Sequence, residues 1–138
     1  MNPTTVQRGI VVRDVMKLKY DLVEGVATVR QALEMMQYVE TKCLIVNKRH
    51  PDDEYGMVVI ADIASKVLAQ DRSPDRVSIY EVMTKPAITV HPEMDIRHAS
   101  ALFSRFGLSR APVVDREGEI IGIISHTDMV MKGLLNLS

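Results

Sequence analysis

The reading of this chain turns on Gly122–Met129, GIISHTDM. The apolar run Ile120–Ile124, broken only by Gly122, reads as a short buried strand. Ser125 ends the run, and Asp128 follows three residues later at the head of an apolar, helix-like tail. Ser-x-x-Asp has the spacing of a capping box, in which a hydroxyl and a carboxylate satisfy the free N–H groups of a helix start. The same corner could also hold a ligand, and the motif alone leaves the two readings open.

Working outward from this stretch, the chain repeats itself. Val15-Met16 matches Val82-Met83, and Ala32 matches Ala99. CLIVN, 43–47, matches APVVD, 111–115. Gly56 and Asp62 match Gly122 and Asp128. Each copy reads β-α-β-β-α. A short extended piece, clearest in AITV (87–90), leads to a helix beginning at Thr28 or Asp95. Thr28-x-x-Gln31 has capping-box spacing, and Asp95 suits an N-cap. One helix face gathers Val29, Ala32, Leu33 and Met36, and the other Ile96, Ala99, Phe103 and Phe106. Two strands follow in each copy, CLIV with GMVVI and PVV with EIIGIIS, the second pair joined by a turn at 116–119. A second helix begins near Asp62 or Thr127. The expected fold class is α+β, with sheets covered by helices on one face. Repeat 1 is expected over 8–70, a polar linker over 71–76, and repeat 2 over 77–138. A half of about 60 residues buries too little surface to stand alone, so the halves should pack together.

Composition removes several functions. Net charge is -1, without the basic footprint of a nucleic-acid binder. The single cysteine, Cys43, lies in an apolar run and reads as a core thiol; no metal-binding spacing is present. The nine methionines read as core filling. The four histidines, His50, His91, His98 and His126, form no ligand set. No apolar run approaches the roughly 18 residues of a membrane span, and the N-terminus lacks a signal-peptide core. A cytoplasmic protein with no membrane or nucleic-acid partner is expected. The loop KRHPDDEY, 48–55, reads as a mobile surface excursion.

Two copies with Val-Met at their start and Gly-h-h-x-x-x-Asp near their end resemble a tandem pair of CBS domains, a Bateman module, over roughly Val12–Leu135. The resemblance implies two pseudo-symmetric repeats packed sheet to sheet with helices outside. It implies regulatory binding of an adenosine-type ligand (AMP, ADP, ATP or S-adenosylmethionine) in clefts between the copies. Carried onto this chain, Asp128 would hold the ribose hydroxyls and Ser125 would contact phosphate. The segment 84–89, with Thr84, Pro86 and Ile88, and the turn Arg110-Ala111-Pro112 would frame the base. The chemistry suits these roles. A carboxylate accepts hydrogen bonds from two adjacent hydroxyls, and a helix start offers free N–H groups and a positive dipole end to phosphate. His126 and Thr127 add donors in the same turn, and Arg110 adds charge or a stacking plane.

The first copy departs from the pattern. Val59 stands where the second copy has Ser125, so a phosphate contact and a cap are lost. Asp62 is kept and marks a possible second site, with Lys17 and Lys42 as compensating charge. No Walker loop, GxGxxG or nucleophile–base motif is present, so the chain is expected not to be an enzyme. Nearly all of it is module, so an unknown effector protein is expected to read the signal. A homodimer formed through helix faces is implied by the resemblance, with Ile63, Val67 and Leu68 in one copy and Met129, Val130, Leu134 and Leu135 in the other as candidates. The alternative is a ligand-free dimeric interaction scaffold.

Overall fold

The computed structural model describes residues 9–135; the outer repeat limits expected at 8 and 136–138 lie outside the described residues. The one-turn helix α1 (Val12–Val15) leads to β1 (Leu22–Val23) and α2 (Val29–Met35). A 3-10 turn at Val39–Thr41 precedes β2 (Cys43–Val46) and β3 (Gly56–Val59). Helix α3 (Ile60–Ile63) widens into a π-helical turn at Ala64–Leu68. A second 3-10 turn (Ile79–Glu81) opens the next copy. It continues through α4 (Ile96–Phe106), β4 (Arg110–Val114), β5 (Ile120–Ser125) and α5 (His126–Val130), which also widens, at Met131–Leu135.

These elements gather into two compact units. One is continuous, Lys19–Ala87; the other is split, joining the described residues 9–18 with 88–135. The continuous unit holds a three-stranded sheet, with β1 parallel and β3 antiparallel to β2. Its core is built from residues such as Val23, Val29, Ala32, Leu44, Val58 and Ile79. The split unit holds β4 antiparallel to β5. Its core includes Val12, Val15, Val90, Ala99, Phe103 and Ile124. Burying each such valine or isoleucine contributes about 1.5–3 kcal/mol. The extended piece expected at 87–90 shrinks to one parallel bridge, Val90 to Val113, in the place β1 holds in the other unit.

The local signals in the sequence work as capping chemistry predicts. Thr28 Oγ1 accepts from the Gln31 N–H at 3.1 Å, and Gln31 Oε1 accepts from the Thr28 N–H at 2.9 Å. Asp95 accepts from the Arg97 N–H at 2.8 Å. Helix α4 ends at Gly107, whose φ of +67° is the left-handed conformation that glycine adopts without strain. Its buried face is Ile96, Ala99 and Phe103. Phe106, expected on that face, is exposed. The turn between β4 and β5 is closed by Asp115, whose Oδ1 accepts from the Glu117 and Glu119 N–H groups at 2.9 Å.

Each unit takes its leading segment from the other sequence copy. Lys17, after the first Val-Met, exchanges two backbone hydrogen bonds with Ile123 of β5, at 2.8 and 2.9 Å. Thr84, after the second Val-Met, exchanges two with Met57 of β3, both at 2.9 Å. The Met-Lys or Met-Thr segment therefore lies against the glycine of the partner strand, Gly122 or Gly56.

The loop 48–55 is held rather than loose. Asp53 Oδ2 accepts from Lys85 Nζ at 2.8 Å and from the Arg49 N–H at 2.9 Å. The Arg49 guanidinium lies over the Tyr80 ring, 5.7 Å from its centroid, and the Tyr55 carbonyl accepts from the Ala87 N–H at 2.8 Å.

Candidate functional site

The corner between β5 and α5 forms because Ser125 ends the strand in extended conformation and caps the helix that follows. Ser125 Oγ accepts from the Asp128 N–H at 3.1 Å. Asp128 Oδ2 accepts from both the N–H and the hydroxyl of Ser125, each at 3.0 Å. The capping reading of Ser-x-x-Asp is thus realised in full. It also fixes the orientation of a carboxylate that is only 3% exposed.

The other carboxylate oxygen, Oδ1, accepts from the ammonium of Lys17. Lys132, one turn further along the helix, places its Nζ 3.6 Å from the same oxygen. Burial pushes the Asp128 carboxyl up, but the hydrogen bonds from Lys17 and Ser125 outweigh it and hold the group below the usual carboxylate range. Asp128 is therefore an anion at neutral pH, buried but paired.

Arg110 lies directly across from Ser125 in the β4–β5 ladder. Opposed residues on antiparallel strands share a face, so the arginine side chain leaves the sheet on the serine's side. Its Nε is buried and has no hydrogen-bond partner among the described residues. Ala111 and Pro112 continue β4 opposite Ile124 and Ile123, and both are buried. His126 and Thr127 occupy the exposed side of the first helical turn. Ile88, 36% exposed, begins the second segment of this unit.

Thr84 and Pro86 belong to the continuous unit, with Asp62 and Lys42. Lys42 has an exposed side chain, and its carbonyl accepts from the Ile60 N–H at the start of α3. With Val59 as N-cap, α3 has no side-chain cap, and Asp62 is half-buried in its first turn. Lys17, expected to serve Asp62, is paired with Asp128 instead. No local signal could have shown this, because the two residues stand 111 positions apart. Lys132 was legible: it follows Asp128 at i+4, the spacing of neighbours on a helix surface. Among the described residues, no group of three His, Cys, Asp or Glu side chains gathers as a metal site, and no helix is long and apolar enough to cross a membrane.

The model of the CBS domain matches residues 79–133, which include the whole Ser125–Asp128 corner. An uncharacterized protein of Methanopyrus kandleri is 32% identical over 113 residues, 80% of this chain and 57% of that protein. The chain therefore spans less than three fifths of that relative's length. The hexameric CBS-CP12 protein from bloom-forming cyanobacteria superposes with a TM-score of 0.86 at 33% identity, covering 92% of this chain and 70% of that one. The chain belongs to the CBS-domain family. A CBS domain pair solved in complex with 5'-methylthioadenosine and S-adenosyl-L-methionine shares the fold, with a TM-score of 0.73 at 23% identity, covering 88% of this chain and 94% of that one.

Within the CBS fold, the two halves of this chain now differ in a defined way. The second copy's corner has a cap, a fixed carboxylate and neighbouring cations. The first copy's corner keeps the carboxylate but lacks the serine that would orient it.

Proposed function

We propose that this chain is a regulatory sensor module that binds an adenosine-type ligand at the Ser125–Asp128 corner and signals occupancy to a separate effector protein. The carrying observation is the Asp128 carboxylate: buried, ionised, and held in one orientation by Ser125. A fixed carboxylate suits hydroxyl groups, and the cations Lys17, Lys132 and Arg110 suit an anion beside them. A nucleotide carries both on one ribose. The CBS domain pair solved with two adenosine ligands supports that ligand class on this fold. Asp62 is the second candidate, weakened by the missing serine. The Ser125 hydroxyl is engaged in the cap, and we assign the corner no reaction. Ligand acts by population shift, stabilising the state that binds it best.

The test is thermal unfolding with and without AMP, ADP, ATP and S-adenosylmethionine, beside Asp128→Ala read against its own ligand-free baseline. A ligand at about 100 times its dissociation constant adds about 2.7 kcal/mol, a shift of several degrees. Absence of a shift with any of the four would sink this reading.

One observation favours a second reading, a ligand-free homodimeric scaffold. The tail of α5 exposes Val130, Met131, Leu134 and Leu135, the last two at 64% and 67%, and grouped exposed apolar side chains mark association surfaces. Light scattering of the chain and of Leu134→Asp tests it. A monomer in both cases would remove the scaffold.

A further inference from the structure

We propose that the first copy carries a docking groove for a basic, apolar segment of a partner protein, formed by Glu24, Val26, Glu34 and Met35. The groove belongs to the continuous unit and the Ser125–Asp128 corner to the split one, so this inference goes beyond the adenosine reading and does not depend on it.

Glu24, Val26 and Ala27, from the turn between β1 and α2, line the groove with Gln31, Glu34 and Met35 of α2. Positions 31, 34 and 35 share one face of that helix. Val26 is 75% exposed and Met35 63%. The fold does not ask for an apolar side chain at this turn. Two residues before its own N-cap, Asp95, the second copy places Glu93, which is exposed and ion-paired with Arg13. Val26 holds the matching place before Thr28. An exposed valine adds nothing to the core, but it gains free energy when a partner covers it. The flexible methionine beside it adapts to an uneven surface.

The charges choose the partner. Glu24 accepts from the Asn47 amide at 3.0 Å. Glu34 lies one turn from Arg30, but that guanidinium is held by Asp75. Among the described residues neither glutamate has an ion pair, and no cation lines the groove. Carboxylates beside apolar side chains fit arginine or lysine, whose stem lies along apolar surface while its charged head reaches the carboxylate. The same negative charge repels the anionic surfaces of nucleic acid and membrane. A protein segment carrying both cations and an apolar side chain satisfies every group in the groove.

Fluorescein-labelled peptides of the patterns Arg-x-Leu-Arg and Arg-Leu-x-x-Arg, titrated into the full chain and followed by anisotropy, test this. At least one is expected to bind with a dissociation constant below about 1 mM, and more weakly as salt rises. The variant carrying Glu24→Gln and Glu34→Gln is expected to bind it at least about tenfold more weakly, the worth of one charged hydrogen bond. Met35→Gln, and control peptides with Glu for Arg or Ser for Leu, are expected to weaken it by a similar factor. All three substitutions keep side chains that suit exposed positions, so the variants should fold. Binding by none of the arginine–leucine peptides, or binding unmoved in the variants, overturns the inference. Light scattering of the same samples reads the other occupant: a wild-type assembly that Met35→Gln dissolves would give the groove to a second copy and overturn it as well. Each of these outcomes leaves the adenosine reading standing, and a failed thermal shift with the four adenosine ligands leaves the groove standing.

Discussion

Gly122 lies directly beneath Lys17: a Cβ added to the glycine would stand 2.7 Å from the Lys17 carbonyl oxygen and 3.1 Å from Met16 Sδ. The other copy repeats the relationship, with Gly56 against Met83 Sδ at 2.9 Å and the Thr84 carbonyl at 3.3 Å. The motif glycine is thus a contact surface for the Val-Met segment of the other copy. Gly122→Ala is expected to destabilise by about 1–3 kcal/mol through overpacking. Gly107→Ala, where nothing lies within 4 Å of the added Cβ, should cost about 1 kcal/mol through its left-handed backbone alone. Urea unfolding of the two variants separates the mechanisms. Equal, small losses would mean that the Lys17 segment yields easily.

Ser125→Ala removes the hydroxyl that receives the Asp128 N–H and donates to its carboxylate. A loss of about 0.5–2 kcal/mol is expected from the cap, and Ser125→Thr should recover most of it. Val59→Ala, at the matching position of the uncapped helix, removes no cap. If Ser125→Ala unfolds at the wild-type urea midpoint, the corner is not held by this box.

The caps, the paired strands and the duplicated order were legible because they are local: Thr28 with Gln31, Asp95 before α4, and the turn at Gly118 each declare themselves within four residues. What the sequence hid is long-range. Lys17 was assigned to the aspartate of its own copy, yet the leading segment crosses to the other unit and delivers it to Asp128. The short strand at 87–90 failed for a related reason: Ala87 bonds back to Tyr55 while Val90 bridges Val113, so the extended run AITV joins no single ladder. Phe106 kept the helical period but fell in the last turn, past the core.

The loop 48–55 makes the same point. It reads as polar and mobile, but Asp53 receives Lys85 from the segment after the second Val-Met. Asp53→Ala should release the loop, so trypsin should cut after Lys48 or Arg49 several-fold faster through local opening. Lys85→Ala should do the same, and the double variant should add little. Unchanged cleavage in both single variants would show that the Tyr55–Ala87 backbone bond holds the loop without the ion pair.

Acid should unfold this protein through carboxyls that fold holds low. Arg97 holds Asp95 at about 2. Hydrogen bonds from Lys85 and Arg49 hold Asp53 far below its usual range, and Asp128 is lowered despite burial. A group whose folded pKa lies below its unfolded value of about 3.9 binds a proton more tightly when unfolded, so protonation favours unfolding. Stability is therefore full above about pH 5 and falls as pH drops toward about 2. Asp128→Asn should cost about 1–3 kcal/mol at neutral pH, where the lost charge had two hydrogen-bonded partners. The gap from wild type should close on acidification, because wild type then loses the same charge. Urea midpoints between about pH 6 and pH 3 measure both slopes. Parallel curves would mean that Asp128 ionises alike in the folded and unfolded chain, and that the Lys17 pair adds nothing to the fold.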